Sequence, residues 1–437
     1  MSNIVCKFGG SSLASFDKVK NVANLVKEGG QKYIVLSAPG KRKPGDTKIT
    51  DCLISIWQKS QKGASYSKEW KFFTKRYLDI KNKLHIDFDL KDAFYDFYSK
   101  INISTYDYIV SRGEYFMALL FAKYTGYHFL DAKDFIVFDD NGDVDIALSQ
   151  TKFNSLTSSG NRYVIPGFYG VATNGAIKTF SRGGSDITGA VVSVLCKAKL
   201  YQNYTDVDGF LDADPKICPR ASLIEKLSYS ELRELSYTGA NVLHPDCVRF
   251  LKKNNIVLNL RNTFKPTCKG SLIMPDDMIM HSHITGISGQ KGFCALTISK
   301  FAMHADKNSY QHIFDAFASI GTPIEHLHSG IDNVCVIVSQ KGLSGERLEK
   351  AEKALKSYFE NVQIIENIAL ISIVGLGMLK DSALEHKVLD SIYSMGRRVV
   401  ALNKGAAGLS IILAVQENDY EQAVNELHHS LLQKDNS

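Results

Sequence analysis

Residues 4–36, IVCKFGGSSLASFDKVKNVANLVKEGGQKYIVL, decide the fold class of this chain. The run at 4–8 is apolar and ends at two glycines, which predicts a buried strand that enters a tight turn. Apolar residues then recur at helical spacing over 16–28, and two further glycines end the pattern. Residues 33–36 predict a second buried strand. A strand, a helix and a strand joined by short connections indicate a βαβ unit, and therefore a parallel sheet covered by helices.

The composition is that of an ordinary globular protein, with 44% hydrophobic and 22% charged residues in a chain of 437. It excludes a disordered tail protein and a fibrous repeat, and the length predicts more than one domain. The longest apolar runs fall far short of the roughly 18 residues that cross a bilayer. No basic segment followed by an apolar one opens the sequence. We therefore expect a soluble, cytoplasmic protein that binds no membrane.

The net charge of +6 is spread over the whole length, whereas nucleic-acid binders concentrate basic residues on one face or arm. We therefore expect anionic small molecules, and no nucleic acid, as partners. No Cys-x-x-Cys pair occurs among the eight cysteines, which excludes zinc ribbons and dithiol redox motifs. Histidine pairs occur at 281 and 283, at 326 and 328, and at 428 and 429. None has a third cysteine, aspartate or glutamate ligand at a recognisable spacing, so we expect no metal site built by the protein alone.

The rest of the chain extends this organisation. Amphipathic stretches at about 50–61, 67–82 and 90–124 predict a helical insertion after the first βαβ unit, and 200–204 and 256–260 predict further core strands. The segment 267–289 contains prolines and glycines with weak periodicity, which indicates the main domain boundary. Beyond it, strand and helix patterns repeat loosely as two successive βαββαβ units. Small modules of this kind more often bind regulators or partners than carry catalysis.

Three polar turns follow predicted strands. Lys7 stands beside Gly9 and Gly10, which let backbone N–H groups approach an anion at a strand end that opens a helix. Ser-Arg-Gly-Gly-Ser-Asp at 181–186 and Thr-Asp-Val-Asp-Gly at 205–209 are the other two. Each turn alone is also compatible with an ordinary solvent loop. Because the carboxyl ends of parallel strands lie at one edge of a sheet, however, we expect the three to converge on one ligand site.

Seven motifs resemble, in order, those of the aspartate kinases of the amino-acid kinase superfamily, over nearly the whole chain. They are Lys7-Phe8-Gly9-Gly10-Ser11-Ser12, Arg112-Gly113-Glu114, Arg182-Gly183-Gly184-Ser185-Asp186, Thr205-Asp206-Val207-Asp208-Gly209, Asp214-Pro215, Val242-Leu243-His244-Pro245 and Arg261-Asn262-Thr263-Phe264. The resemblance implies an α/β fold: a mostly parallel sheet flanked by helices, followed by two α+β modules of the ACT type. The implied divisions are a catalytic domain at 1–270, a linker at 271–289 and ACT domains at 290–366 and 367–437, with a strand that the two ACT units can exchange.

The resemblance further implies an activity. The enzyme would transfer the γ-phosphoryl group of ATP, with Mg²⁺, to the side-chain carboxylate of L-aspartate. The product, 4-phospho-L-aspartate, would lead toward lysine or diaminopimelate, threonine and methionine. Two other hypotheses stay open: a kinase of the same superfamily that acts on another carboxylate, and a non-catalytic amino-acid sensor that uses only its ACT pair. The set of Lys7, Glu114, Arg182 and Asp186 argues against the sensor.

Residue roles follow from the resemblance as well. The expected catalytic residues are Lys7, Arg182 and Asp186. The expected aspartate pocket contains Ser37, Thr50, Glu114 and Arg182, with Thr47 as a rival of Thr50 because the preceding loop is longer than in the family. The expected ATP contacts are Lys7, Phe8, Gly9, Gly10, Ser185, Thr205, Asp206, Leu211, Lys216, Asn241 and Val242. Leu211, Lys216 and Asn241 stand where the family often has tyrosine, arginine and lysine.

Regulation is the last implication of the resemblance. The family pattern favours a homodimer, or a dimer of dimers, that forms through the ACT domains. An amino-acid effector, for which L-lysine is our first choice, would bind at the ACT interface. The expected effector site contains Met303, Ile324, Glu325 and Ser329. Glu325 would meet the ammonium group of the effector, although an exposed glutamate commonly points only to solvent.

Overall fold

The computed structural model describes residues 3–180, 183–237, 243–279, 283–379, 382–405 and 408–433. These residues pack as two compact units. The first unit comprises 3–210, 225–229 and 243–279, without 181–182, and the second comprises 211–224, 230–237 and 283–433, without 380–381 and 406–407. No helix in these described ranges is both long and apolar enough to cross a membrane.

Strands and helices are numbered in chain order. The strands are β1 Ile4–Phe8, β2 Tyr33–Leu36, β3 His128–Phe129, β4 Tyr163–Pro166, β5 Tyr169–Val171, β6 Ile177–Thr179, β7 Leu200–Thr205, β8 Lys226–Ser228, β9 Val257–Asn262, β10 Ser271–Met274, β11 Gly286–Ser299, β12 Ile324–Ser329, β13 Asn333–Ser339, β14 Asn361–Val374, β15 Val399–Lys404 and β16 Ser410–Gln416. The helices are α1 Phe16–Gly29, α2 Ile49–Gln61, α3 Ser67–Lys83, α4 Lys91–Lys100, α5 Tyr106–Thr125, α6 Ile146–Leu156, α7 Gly184–Leu195, α8 Tyr229–Tyr237, α9 Pro245–Lys253, α10 Ser309–Ser319, α11 Glu346–Lys356, α12 Ser382–Ser394 and α13 Tyr420–Leu431.

The first unit is built on a sheet of eight strands in the order β3-β4-β2-β1-β7-β9-β10-β8. Every neighbouring pair is parallel except β9 and β10. The predicted βαβ unit is confirmed as β1, α1 and β2, and the carboxyl ends of β1, β2, β7 and β9 lie at the same edge of the sheet. Parallel sheets place their ligands at that edge.

Aromatic packing explains the helical insertion. The centre of the Phe73 ring on α3 lies 5.6 Å from the centre of the Phe97 ring on α4 and 5.6 Å from that of the Phe116 ring on α5. The single amphipathic stretch predicted over 90–124 is wrong in one respect, because it comprises two helices, α4 and α5. Thr105 starts α5 by accepting a hydrogen bond from the backbone N–H of Tyr108, as a side-chain cap does.

The second unit contains one antiparallel sheet of six strands, in the order β12-β13-β11-β14-β16-β15. Its two central strands, β11 and β14, are each 14 residues long and belong to both βαββαβ modules. The first half of β11 pairs with the end of β14, and its second half pairs with β13. The predicted division between residues 366 and 367 therefore falls inside β14, because the modules share strands.

The predicted linker at 271–289 is also placed differently in the structure. β10 begins at Ser271 and pairs with β8 and β9 in the first unit, and β11 begins at Gly286. Moreover, 211–224 and 230–237, which the prediction assigned to the catalytic domain, belong to the second unit. The physical reason is burial, since Ala213 and Cys218 pack in the same apolar cluster as Val424 of α13.

Candidate active site

A buried lysine forms the centre of the candidate site. Lys7, near the end of β1, places its Nζ 2.6 Å from Oδ1 of Asp186 and 3.4 Å from Oδ1 of Asn203. The Asn203 amide donates to the same Asp186 oxygen at 2.8 Å. Only 8% of Lys7 is exposed, so the ammonium group is fixed by a carboxylate and an amide and largely shielded from water.

Asn203 is a residue that sequence reasoning missed. It lies on β7 directly beside Lys7 in the parallel register of β1 and β7. Asn203 is only 2% exposed, which is unusual for an asparagine, and the same strand carries the buried residues Tyr201 and Tyr204. An asparagine inside a predicted core strand was the available signal, but its meaning depended on which strand is the neighbour of β1.

The start of helix α7 carries the acidic partner. Gly183 precedes the helix with φ of 78°, a left-handed conformation that favours glycine. A Cβ at Gly183 would also lie 2.9 Å from the His244 side chain. Asp186 stands in the first turn of α7, and Ser185 beside it is buried. A helix N-terminus carries partial positive charge, which suits a phosphate group. Arg182 lies outside the described residues.

The glycine turn after β1 packs closely against the loop after β2. Gly9 donates its backbone N–H to the Tyr204 carbonyl at 3.2 Å, and Gly40 donates to the Gly10 carbonyl at 2.8 Å. A Cβ at Gly10 would lie 2.7 Å from the Ala38 carbonyl oxygen, so glycine is required there. Phe8, which precedes the turn, is fully buried and stacks on the Tyr204 ring. Phe8 therefore supports the turn from the core side.

Glu114 differs from every other acidic group of the site. It lies on α5 with 5% exposure, and its Oε2 has no hydrogen-bond partner among the described residues. Burial raises the pKa of Glu114 to about 8. The hydrogen bond that its carboxylate accepts from the Ala38 backbone opposes this rise only in part. The charge of the neighbouring Arg112 also opposes the rise only in part, and its guanidinium lies 4.6 Å from the Tyr108 ring centre and 4.7 Å from that of Tyr115.

The hydroxyl groups predicted for the aspartate pocket lie at the two ends of one loop. Ser37 follows β2, donates its backbone N–H to the Phe8 carbonyl at 3.1 Å and is half-buried. Thr50 is half-buried in the first turn of α2, and Ile49 beside it donates to the Pro39 carbonyl at 3.2 Å. The rival Thr47 is exposed. Burial therefore favours Thr50 over Thr47.

The predicted nucleotide residues fall into separate parts of the molecule. Thr205 ends β7, and its hydroxyl donates to the Asp206 carboxylate at 3.3 Å. Leu211 and Lys216 belong to the second unit, so the packing within the first unit does not bring them to Lys7. Asn241 and Val242 lie outside the described residues.

The predicted effector residues lie in the second unit. Met303 is 1% exposed and packs in the core of the first module. Ile324, Glu325 and Ser329 lie on β12, an edge strand of the six-stranded sheet. Among the described residues, no group of three or more histidine, cysteine, aspartate or glutamate side chains could hold a metal ion.

Comparison with protein families gives a match to the amino acid kinase family over residues 3–262. The chain belongs to the amino acid kinase family. Within this family it is similar to Aspartokinase 3 of Bacillus subtilis, with 28% identity over 442 residues that cover 97% of each chain. It is also similar to the chloroplastic Aspartokinase 2 of Arabidopsis thaliana, with 27% identity over 99% of this chain and 84% of the relative.

The chain is also similar to solved structures of aspartate kinases. The crystal structure of Clostridium acetobutylicum aspartate kinase, described as an allosteric enzyme, matches with a TM-score of 0.93 and 36% identity, over 99% of this chain and all of that one. Aspartokinase III of E. coli, solved with lysine and aspartate, matches with a TM-score of 0.78 at 21% identity over 99% of this chain and all of that one. At that identity the second match shows a shared fold.

Proposed function

We propose that the chain is an aspartate kinase, which transfers the γ-phosphoryl group of ATP to the side-chain carboxylate of L-aspartate and forms 4-phospho-L-aspartate. One observation supports this most directly: the ammonium group of Lys7 is buried and held by Asp186 and Asn203 between the glycine turn and the start of α7. This arrangement suits a phosphoryl group in transfer. The similarity to aspartokinases over nearly the whole chain supports the choice of acceptor.

The chemistry requires positioning more than proton transfer. The aspartate carboxylate, with an ordinary pKa of about 4, is already ionised at neutral pH, so no general base is needed. The obstacle is the approach of two anions, and Lys7 lowers it by offsetting charge on the transferred phosphoryl group. ATP would bind as its Mg²⁺ complex, in which the metal ion would offset part of the phosphate charge. Asp186 and Asn203 hold the lysine in place.

The aspartate pocket is proposed from polar groups that could each bind one part of the substrate. Glu114 offers a buried carboxylate oxygen that has no hydrogen-bond partner in the described part of the chain, which suits the substrate ammonium group. Ser37 and Thr50 supply hydroxyl donors from the two ends of their loop. Arg182 is proposed to hold a substrate carboxylate, because a guanidinium group binds carboxylates through two parallel hydrogen bonds.

The nucleotide would be held by residues of several segments. In the first unit, Phe8, Gly9 and Gly10 form or support the turn after β1, Ser185 stands at the start of α7, and Thr205 and Asp206 follow β7. Leu211, Lys216, Asn241 and Val242 remain part of this proposal. The glycines expose backbone amides to phosphate oxygens, and the helix start adds partial positive charge.

The direct test is an assay that couples ADP formation to a spectroscopic signal, with ATP, Mg²⁺ and L-aspartate. Turnover with L-aspartate is expected, together with trapping of the acyl phosphate by hydroxylamine. Parallel reactions contain L-glutamate or N-acetyl-L-glutamate as acceptor. Turnover of either of these, without turnover of L-aspartate, would contradict the proposal and indicate another carboxylate kinase of the family.

Regulation is proposed to occur through the two βαββαβ modules, with L-lysine as effector and a homodimer, or a dimer of dimers, as the assembly. The edge strand β12 carries Glu325, whose carboxylate suits an ammonium group. Glu325→Ala is therefore expected to raise severalfold the lysine concentration that halves activity. Inhibition curves for the wild type and the variant measure this. A wild type that does not respond to lysine, alone or with threonine, contradicts the effector assignment.

A further inference from the structure

A buried cation that is not part of the resemblance motifs also lies in the first unit. Arg76 on α3 is 2% exposed. Its guanidinium donates to the Gly40 carbonyl at 2.9 Å, to Oδ2 of Asp46 at 2.9 Å and to the Thr47 carbonyl at 3.5 Å. A further hydrogen bond, at 3.4 Å, reaches the Ala14 carbonyl. Apart from the Ala14 contact, all these acceptors belong to residues 37–50, which we call the substrate loop.

A buried guanidinium is costly unless its hydrogen-bond donors are met. The substrate loop meets the two terminal nitrogens through its own backbone carbonyls and Asp46, whereas Nε has no hydrogen-bond partner among the described residues. The path of the loop is therefore tied to the position of Arg76. Arg42 binds the same carboxylate from the solvent side, with its Nε 2.8 Å from Oδ2 of Asp46. These arginines hold the pKa of Asp46 well below its usual range, chiefly through the hydrogen bond from Arg42. Asp46 therefore stays charged and keeps the loop attached to α3.

The substrate loop begins at Ser37 and ends at Thr50, so both hydroxyl groups proposed for aspartate binding depend on its shape. Its centre is also joined to the glycine turn, because Gly40 donates to the Gly10 carbonyl at 2.8 Å. The Ala14 carbonyl, which Arg76 also contacts, directly follows that turn. Arg76 thus makes three hydrogen bonds to the substrate loop, two of them at 2.9 Å, and a single one of 3.4 Å next to the glycine turn.

We propose that Arg76 is a positioning residue for the aspartate pocket: by binding Gly40, Asp46 and Thr47 at once, it sets the shape of the substrate loop. This inference rests on the proposed function, since it concerns how that site binds its acceptor. Arg76 acts through the loop and does not itself contact the substrate. Lysine is a poor replacement, because an ammonium group is a single point charge and cannot reproduce a planar fork.

The kinetic test compares Arg76→Lys and Arg76→Met with the wild type. The KM for L-aspartate is expected to rise roughly tenfold or more, because small displacements of a binding group have large effects. The KM for ATP is expected to change less, by about threefold at most, since the glycine turn loses a single long hydrogen bond. Lys43→Ala is the matched control, because it removes an exposed cation from the same loop and should leave both constants within about twofold.

Proteolysis gives a measurement independent of activity. Lys41 and Arg42 are exposed trypsin sites in the substrate loop. Arg76→Met is expected to be cleaved there several times faster than the wild type, and saturating L-aspartate should protect the wild type more. Asp46→Asn serves as a milder variant if Arg76→Met does not fold, and the same changes are expected in smaller degree.

Three results would overturn the proposal. One is an equal rise in the KM values for aspartate and ATP. Another is a fall in kcat with both KM values unchanged. The third is wild-type cleavage rates in every variant that folds. Wild-type protein that does not phosphorylate L-aspartate would contradict the proposed function instead, and the cleavage rates at Lys41 and Arg42 would still test whether Arg76 holds the loop.

Discussion

Two acidic side chains of the candidate site, Asp186 and Glu114, have different surroundings. Asp186 accepts from the ammonium group of Lys7 at 2.6 Å and from the Asn203 amide at 2.8 Å. Glu114 is buried, one of its oxygens has no partner within the ranges that the structure describes, and its pKa is raised to about 8. The nearest arginine in sequence, Arg112, is instead surrounded by the rings of Tyr108, Tyr115 and Tyr169.

The difference indicates how the site divides its work. A carboxylate whose cation is supplied by the protein holds that cation in place, so Asp186 positions Lys7. A buried carboxylate without a cation is unfavourable in the free protein and becomes favourable when a ligand brings a positive charge. Glu114 is therefore suited to recognise an ammonium group, and Asp186 is suited to support catalysis. Their substitutions should affect different kinetic constants.

Removing the cation that Asp186 holds should have the largest effect. Lys7→Met is expected to lower kcat by on the order of 10²-fold or more, because a fixed charge near the developing transition state is lost. Circular dichroism should show an unchanged fold. The matched control is Lys18→Met, since Lys18 is half-buried and donates to the Ser11 carbonyl at 3.0 Å. Unchanged turnover in Lys7→Met, or failure to fold, would show that Lys7 is a structural residue.

The sequence predicted most of this centre, and the reason is local. The pattern of 4–36 places Lys7 at a strand end. Asp186 reaches Lys7 from the first turn of α7, which follows β6 of a separate two-stranded antiparallel sheet, so the expected convergence of parallel strand ends does not account for this contact. Asn203 could not be assigned, because its role depends on the pairing of β1 with β7 across almost 200 residues of chain. Arg76 was missed for the same reason, since its acceptors lie at least 29 positions away.

The domain boundaries were harder to predict because burial is a long-range property. Leu211 and Lys216 stand in a polar turn next to a catalytic strand, which suggested a place in the catalytic domain. That turn instead packs with the second unit, where the Asp212 carbonyl accepts from the Ile287 N–H at 2.7 Å and the Asp212 side chain meets His428 at 3.1 Å. Neither contact leaves a periodic signal in the sequence.

The next prediction separates the two carboxylates by kinetics. Glu114→Gln is expected to raise the KM for L-aspartate on the order of tenfold or more, because a charged partner of the substrate ammonium group is lost. The KM for ATP should change little. Asp186→Asn is the contrasting variant, since it should lower kcat and change the KM for aspartate less. If the two variants altered the same constant to the same degree, the proposed division of roles would be wrong.

The last prediction concerns stability and pH. An unfolded glutamate has a pKa of about 4.3, whereas burial raises that of Glu114 to about 8. Between these values the folded chain retains a proton that the unfolded chain has released. Stability therefore decreases as pH rises through this window, by on the order of a few kcal/mol, and levels off above it. Glu114→Gln removes this dependence, because glutamine is neutral at every pH.

Urea denaturation of the wild type and Glu114→Gln at pH values from 5 to 9 measures the effect, because all other groups contribute nearly equally to both proteins. The free energy of unfolding of the variant, relative to that of the wild type, should increase from pH 5 to pH 8 and then remain constant. The sign follows from the excess proton in the folded state. A constant difference across the range would show that Glu114 has a partner in solution, and the contrast with Asp186 would then lose its electrostatic basis.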